Sequence, residues 1–140
     1  DPLDDGVSLL SEALGETESL MQTIRQHTIF SQTEPNGTIT DVNEAFCTVS
    51  GYSREELLGA PHQILNSRQH GEAFWQDFWN TINAGRAWRG EICNRRKDGS
   101  RFWLDTIVMP MLGTDGAIER FLSIRADVTK RKQAEEKLGK

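Results

Sequence analysis

The stretch Trp88-Arg-Gly-Glu-Ile-Cys-Asn94-Arg-Arg-Lys-Asp-Gly99 decides how this chain folds. Successive residues of a strand point to opposite faces, so Trp88, Gly90, Ile92 and Asn94 share one side and Arg89, Glu91, Cys93 and Arg95 the other. The first side is apolar apart from one amide. Lys97-Asp98-Gly99-Ser100 is a turn sequence, and Arg101 to Pro110 returns as a second strand, which makes an antiparallel hairpin. Asn94 is therefore predicted to face a core. A buried carboxamide without partners costs roughly 1–3 kcal/mol, so Asn94 either bonds neighbouring backbone or bonds something held in a pocket.

Working outward, the returning strand is apolar on both faces, with Phe102, Leu104 and Val108 on one and Trp103, Ile107 and Met109 on the other. A last strand over Ala117 to Val128 alternates in the same way and puts Arg125 in the parity of Phe121 and Ser123, facing inward. A buried cation needs a partner, an internal carboxylate or a ligand. Upstream of the hairpin, His70 to Ala84 reads as a helix carrying Phe74, Trp75, Phe78, Trp79 and Ile82 along one side and stopped by Gly85. Trp79 is either plain core or the wall of a pocket, and Trp75, Phe74 and Phe78 are core or pocket wall. Thr28 to Thr33 and Thr38 to Val42 form a first hairpin about Glu34-Pro-Asn-Gly37, whose Asn-Gly pair supplies positive φ. Asn43 to Val49 and Ser53 to Leu58 are two short helices, the second opened by Ser53 and Glu56 in capping-box spacing.

The two ends are helical. From Val7 to Gln26, Leu9, Leu10, Ala13, Leu14, Leu20, Met21 and Ile24 hold three-and-four spacing, an apolar stripe that must cover the outer sheet face of this chain or of a partner, or a copy of itself. From Thr129 the chain is helical in composition but has too little apolar surface to pack on the domain, so it is expected to leave it. The divisions expected are 1–26 for the amphipathic dimerisation helix, 27–129 for an α+β domain, and 130–140 for the start of a helix that leaves it.

With 140 residues, 36% hydrophobic, the chain can bury one sizeable core. A net charge of −5 from scattered acids argues against nucleic acid or an anionic membrane surface as partner. No apolar run reaches the ~18 residues that span a bilayer, so no direct membrane contact is expected. Cys47 and Cys93 stand alone and read as reduced, half-buried thiols of a cytoplasmic protein. Nothing has the pattern of a nucleophile with its base, a phosphate-cradling loop, a metal site or paired catalytic carboxylates, so the chain reads as a binding module and not an enzyme. From the absent initiator methionine and the charged helical end, a piece of something longer is expected.

Asp41-Val-Asn-Glu-Ala-Phe46, Ser50-Gly-Tyr-Ser-Arg-Glu-Glu-Leu-Leu-Gly59, Arg95-Arg-Lys-Asp-Gly99 and Ile124-Arg-Ala-Asp-Val-Thr129 resemble the PAS sensor family over about residues 27 to 130. The resemblance implies a five-stranded antiparallel sheet with short helices on one face and the N-terminal amphipathic helix on the other. Pro61-His62, Phe78-Trp79, Gly85, Trp88-Arg-Gly90 and Asn94-Arg-Arg-Lys look most like the FAD-binding subgroup of aerotaxis and nitrogen-fixation sensors. It implies a sensor of redox state or oxygen that relays its state through the terminal helices to an effector domain, as a homodimer joined by the N-terminal helix. In that subgroup Trp79 and Asn94 match flavin neighbours and Asn43 matches a residue implicated in flavin binding, whereas the aerotaxis receptor's Arg-His-x-Asp cluster falls on Asn66, Ser67 and Gln69. By similarity to the blue-light LOV relatives, the adduct-forming cysteine falls on His62, a second flavin asparagine on Leu104, and the glutamine of the last strand on Arg125, which argues against cysteinyl photochemistry. Arg125 then lies either beside an internal carboxylate or near flavin N5, and His62 is either a loop histidine or a cofactor neighbour. Haem, the rival cofactor, needs an axial histidine, and Glu72 to Ala84 contains none. The alternative is a cofactor-free or other-ligand dimerisation module regulating a histidine kinase, a cyclic-dinucleotide enzyme or a chemotaxis receptor.

Overall fold

A computed structural model describes residues 2–138, with side chains from Glu12 onward except those of residues 13, 14 and 17. The order is α1 (Pro2–His27), β1 (Ile29–Thr33), β2 (Ile39–Val42), α2 (Glu44–Ser50), α3 (Arg54–Leu57), a 3₁₀ turn (His62–Leu65), α4 (Glu72–Asn83), β3 (Trp88–Arg95), β4 (Arg101–Leu112), β5 (Ile118–Asp127) and α5 (Thr129–Leu138). The strands form one antiparallel sheet in the order β2-β1-β5-β4-β3, as the α+β expectation requires.

Both turns behave as their sequences dictate. Gly37 and Gly99 take φ of 90° and 91°, a region that costs other residues a clash with Cβ. The β3–β4 hairpin pairs Trp88 with Val108, Ile92 with Leu104 and Asn94 with Phe102, and β4 then pairs Thr106 with Arg125 of β5. From Phe102 to Met109, β4 alternates buried inner with half-buried outer residues. Pro110 falls inside β4, which runs two residues past its expected end. From Met109 onward β4 has a neighbour on one side only, so a residue without an N–H is tolerated there.

Two apolar clusters cover the inner face. Ile39, Val42, Phe46, Leu57, Leu65 and Phe102 gather under α2 and α3, and Phe78, Ile82, Trp88, Ile92, Val108 and Phe121 gather under α4. The chain itself covers the β2 rim and the far end of the β3 rim. At β2, the Ile39 N–H donates to the Ala60 carbonyl and the Gly59 N–H to the Ile39 carbonyl. At β3, the Cys93 N–H donates to His70 Nε2 at 2.9 Å and Ser67 Oγ donates to the Cys93 carbonyl at 2.6 Å. This cover leaves Cys93 2% exposed, where period two alone predicts a half-buried thiol.

α1 starts at Pro2, five residues before its expected start, with a proline in the first turn where a missing N–H is no loss. At its C-terminal end the Arg25 guanidinium lies 4.7 Å from the Phe30 ring centre and pairs with Asp41 at 2.6 Å. Of its apolar stripe, Met21 and Ile24 are half-buried and Leu20 is exposed, while the side chains of Leu9, Leu10, Ala13 and Leu14 lie outside the described residues. α5 corrects an expectation, because its first turn is docked on the outer face of the β3–β4 hairpin. The Trp103 N–H donates to Thr129 Oγ1 at 2.9 Å, the Lys132 ammonium sits 4.5 Å from the Trp103 ring centre, and Arg131 and Lys132 both pair with Glu91. Apolar area was the wrong measure, since the contacts are cation–π, charge and capping contacts.

Candidate ligand-binding cavity

Between the inner sheet face, α4 and the 3₁₀ turn lies a cavity of about 150 Å³. β3 contributes Ile92 and Asn94, β4 Val108, and β5 Phe121, Ser123 and Arg125, all delivered by period two. α4 contributes Trp75, Phe78, Trp79 and Ile82, which its three-and-four spacing sets on one side. The aromatic rings of α4 interlock edge to face, with centres 5.5 Å apart for Trp75 and Phe78 and 5.2 Å for Phe78 and Trp79. Trp79 reaches across to the β1–β2 turn, its ring tip 4.0 Å from where a Cβ of residue 37 would stand. That is ordinary contact distance, so it is the φ of 90° and not this ring that calls for glycine at 37.

Asn94 is 5% exposed. Its Nδ2 donates to the Ile92 carbonyl at 3.3 Å, a long local contact, and among the described residues its Oδ1 has no donor. The amide is thus only half used by the protein. Arg125 is equally buried. Its Nη2 stands 3.0 Å from His62 Nε2, its guanidinium carbon lies 4.9 Å from the Phe46 ring centre, and its Nη1 has no partner. Burial pushes the guanidinium down to about 9, which leaves it charged at neutral pH. Burial, and then the Arg125 charge, push His62 down to about 3, so the imidazole is neutral and its Nε2 accepts from the guanidinium. No carboxylate pairs with Arg125 among the described residues, so of the two expected partners the internal acid is not there.

Of the seven candidate residues, Asn94, Trp79, Trp75, Arg125 and His62 come together on this cavity. Asn43 and Leu104 do not line it. Asn43 caps α2: its Oδ1 accepts from the Phe46 and Phe30 N–H groups, and its Nδ2 donates to the Arg25 and Thr28 carbonyls. All its capacity goes into tying α1, β1 and α2 together. Leu104 is buried in the cluster under α2 and α3. The lining also includes Ser123, Thr33 and Gln63, which were not picked out as contacts. The alternation of β5 contained the signal for Ser123; Gln63 is placed by a loop that has no period. Asn66 also lines the cavity, though its Oδ1 accepts from the Arg68 N–H at 2.8 Å; Gln69 Oε1 accepts from Arg101 at 2.9 Å and Ser67 binds Cys93, so these two serve the loop and the strand edge. No cluster of three or more His, Cys, Asp or Glu side chains suited to a metal ion occurs among the described residues, and none of the described helices is long and apolar enough to cross a membrane.

What the arrangement offers is an aromatic slot with an amide oxygen that has no protein donor, a free guanidinium N–H, a neutral imidazole and hydroxyls. It suits a planar ring with polar edges. Two solved structures have the same fold: an RNA-binding light-oxygen-voltage receptor, with a TM-score of 0.75 at 22% identity over 88% of this chain and 35% of that one, and the PAS domain of a protein from Colwellia psychrerythraea, with a TM-score of 0.71 at 27% identity over 82% of this chain and 98% of that one. In sequence, the chain is 36% identical over 102 residues to the aerotaxis receptor of Escherichia coli K12, covering 73% of this chain and 20% of the receptor. It is 32% identical over 99 residues to the nitrogen fixation regulatory protein of Klebsiella pneumoniae, covering 71% of this chain and 20% of that protein. The chain thus spans about a fifth of the length of these curated relatives. Residues 26–130 match the sequence profile of the PAS domain, and with the five-stranded sheet and the cavity behind it the chain belongs to the PAS domain family of signalling proteins.

Proposed function

We propose that this chain is a sensory module that binds FAD non-covalently in the cavity and reports redox state or oxygen to an effector domain. The observation that carries the reading is Asn94, a buried carboxamide whose oxygen has no protein donor, set in an aromatic slot. A flavin pyrimidine edge alternates acceptor, donor and acceptor, which one carboxamide can match. Trp75 and Trp79 would flank the ring, and Arg125 with His62 would meet its polar edge. Asn43 and Leu104 then act from behind, through the α2 cap and the packed cluster. A cavity of about 150 Å³ is the size that holds one benzene-like ring, so a tricyclic ring requires the outer wall to give way. Trp75 and Trp79, half-buried on one side of α4, and exposed Gln63 are the residues placed to do so.

When bound, a flavin supplies a ring nitrogen that changes from hydrogen-bond acceptor to donor on reduction. The chain's part is to convert that change into movement. Asn94 lies opposite Phe102, next to Trp103 on β4, and Trp103 holds Thr129 and Lys132 of α5. Glu91, three residues before Asn94 on β3, holds Arg131 and Lys132. A shift of the β3–β4 hairpin therefore reaches the first turn of the outgoing helix directly. A coupling of roughly 1–3 kcal/mol is enough for a signal. In this proposal residues 1–26 join two copies of the chain in the cytoplasm, 27–129 sense, and 130–140 begin the connection to the effector.

The test is an absorbance spectrum of the chain after addition of FAD and gel filtration. Visible flavin bands that bleach with dithionite are expected, and Asn94→Ala is expected to weaken FAD binding about tenfold to a hundredfold, as loss of a buried hydrogen bond does. A colourless wild type would leave the cofactor-free dimerisation module as the reading.

A further inference from the structure

Arg125 is a cation in a place that gives it nothing to neutralise. The groups facing it are His62 from the 3₁₀ turn and Phe46 from α2, and its strand neighbours are Ile29 of β1 and Thr106 of β4. None of these is acidic. The nearest acid on its own strand, Asp127, is exposed and accepts from Thr129. The residues lining the cavity include no aspartate or glutamate at all. His62 stays neutral far below physiological pH because it is buried against the guanidinium, so the cavity carries one net positive charge throughout that range. One guanidinium nitrogen, Nη1, is buried without a partner. An uncompensated cation in a low-dielectric pocket is costly, and a ligand that carries or acquires negative charge removes that cost.

We propose that Arg125 makes the cavity select the negatively charged form of its ring ligand, so that FAD bound here takes up two electrons and one proton on reduction, keeps a negative charge on the ring, and is easier to reduce than in a chain lacking this cation. The inference rests on the flavin reading and concerns the charge state that the site enforces. The electrons come from an external donor, dithionite in the experiment. The proton goes to N5 and the charge remains on the pyrimidine end of the ring. In water a reduced flavin accepts its second proton in mildly acidic solution; beside Arg125 that second proton is kept off.

The FAD-loaded chain is titrated reductively between pH 5 and 8, and the number of protons taken up per two electrons is read from the dependence of the potential on pH. One proton per two electrons is expected to persist in the wild type to the acid end of the range. In Arg125→Gln a second proton enters there and the potential falls. Sulfite gives an independent reading, because its lone pair adds to N5 of the oxidised ring and leaves the ring with one extra negative charge. Its affinity for the bound flavin is expected to fall about tenfold to a hundredfold in Arg125→Gln and to recover in part in Arg125→Lys, the size of effect given by one charge at close range in a partly buried site. A wild type that takes up two protons and forms no sulfite adduct overturns the proposal without any variant. So does an Arg125→Gln protein that binds FAD with unchanged potential and sulfite affinity, or one that is folded but binds no FAD, which makes Arg125 an anchor. A wild type that stays colourless with FAD removes the flavin reading itself and this inference with it.

Discussion

The two halves of the inner sheet face are built from the same kinds of residue and end differently. Under α2 and α3, Ile39, Phe46, Leu57 and Phe102 are each no more than 1% exposed and close upon one another. Under α4, Phe78, Trp88 and Ile92 meet half-buried Trp75 and Trp79 around a hollow. The difference lies in how the helices are tied down. α2 is capped by Asn43, which also holds β1 and α1, and α3 is opened by a complete capping box of Ser53 and Glu56. α4 follows Gly71, an N-cap with no side-chain hydrogen bond, and its large rings interlock along the hollow. Solid packing gives one half its stability, and looser packing gives the other room for a guest.

Substitutions can break or sharpen that contrast. Leu57→Ala in the solid half is expected to cost about 2–5 kcal/mol by urea unfolding, because the surroundings cannot collapse into the space left. A loss under 1 kcal/mol would mean that this half is not close-packed. Gly90→Ala comes next, since an added Cβ would stand 2.5 Å from the Trp88 ring, and forcing that ring aside is expected to cost about 1–3 kcal/mol and to shift tryptophan fluorescence.

pH enters through the hollow half. His62 is held at about 3 when folded, below its ordinary value, so unfolding takes up a proton between those two values. Its stabilising effect is complete above the ordinary histidine value and is lost as pH falls towards the folded one. Between pH 7 and 5.5 the wild type is expected to lose about 1 kcal/mol that His62→Gln does not lose, measured as a difference in urea midpoints. Equal pH dependence in both proteins would place the imidazole in water.

Trp79→Ala is expected to lower stability by less than about 1.5 kcal/mol, since the ring is half-buried over a hollow, while weakening FAD binding by more than that loss implies. An equal effect of Trp79→Ala and Leu57→Ala on unfolding would erase the contrast. Lys132→Ala, on the outer face, is the smallest: about 0.5 kcal/mol, read as faster amide exchange in the first turn of α5.

Much of this was legible in the chain. Asn94 and Arg125 point inward because alternation in a strand admits one answer once Trp88 and Phe121 are buried. The turns at Gly37 and Gly99 announce themselves through residues that accept positive φ. Asn43 was not legible, because an asparagine at the start of a helix has the same chemistry whether it caps or contacts a ligand, and only the count of its four bonds decides. The docking of α5 escaped because hydrophobic periodicity does not see an ammonium resting on an indole. Cys93 escaped because its cover comes from Ser67 and His70, which belong to a segment without a repeat.

The covered parts of the sheet rims have a further effect on what company this molecule can keep. With β2 engaged by Gly59 and Ala60, and the far end of β3 held at Cys93 by Ser67 and His70, the row of amides on which another chain could extend the ladder is covered on one border and shortened on the other. Lateral growth into fibres is thereby discouraged even at high concentration. Association face to face or through helices is favoured instead, where side chains and not backbone choose the partner.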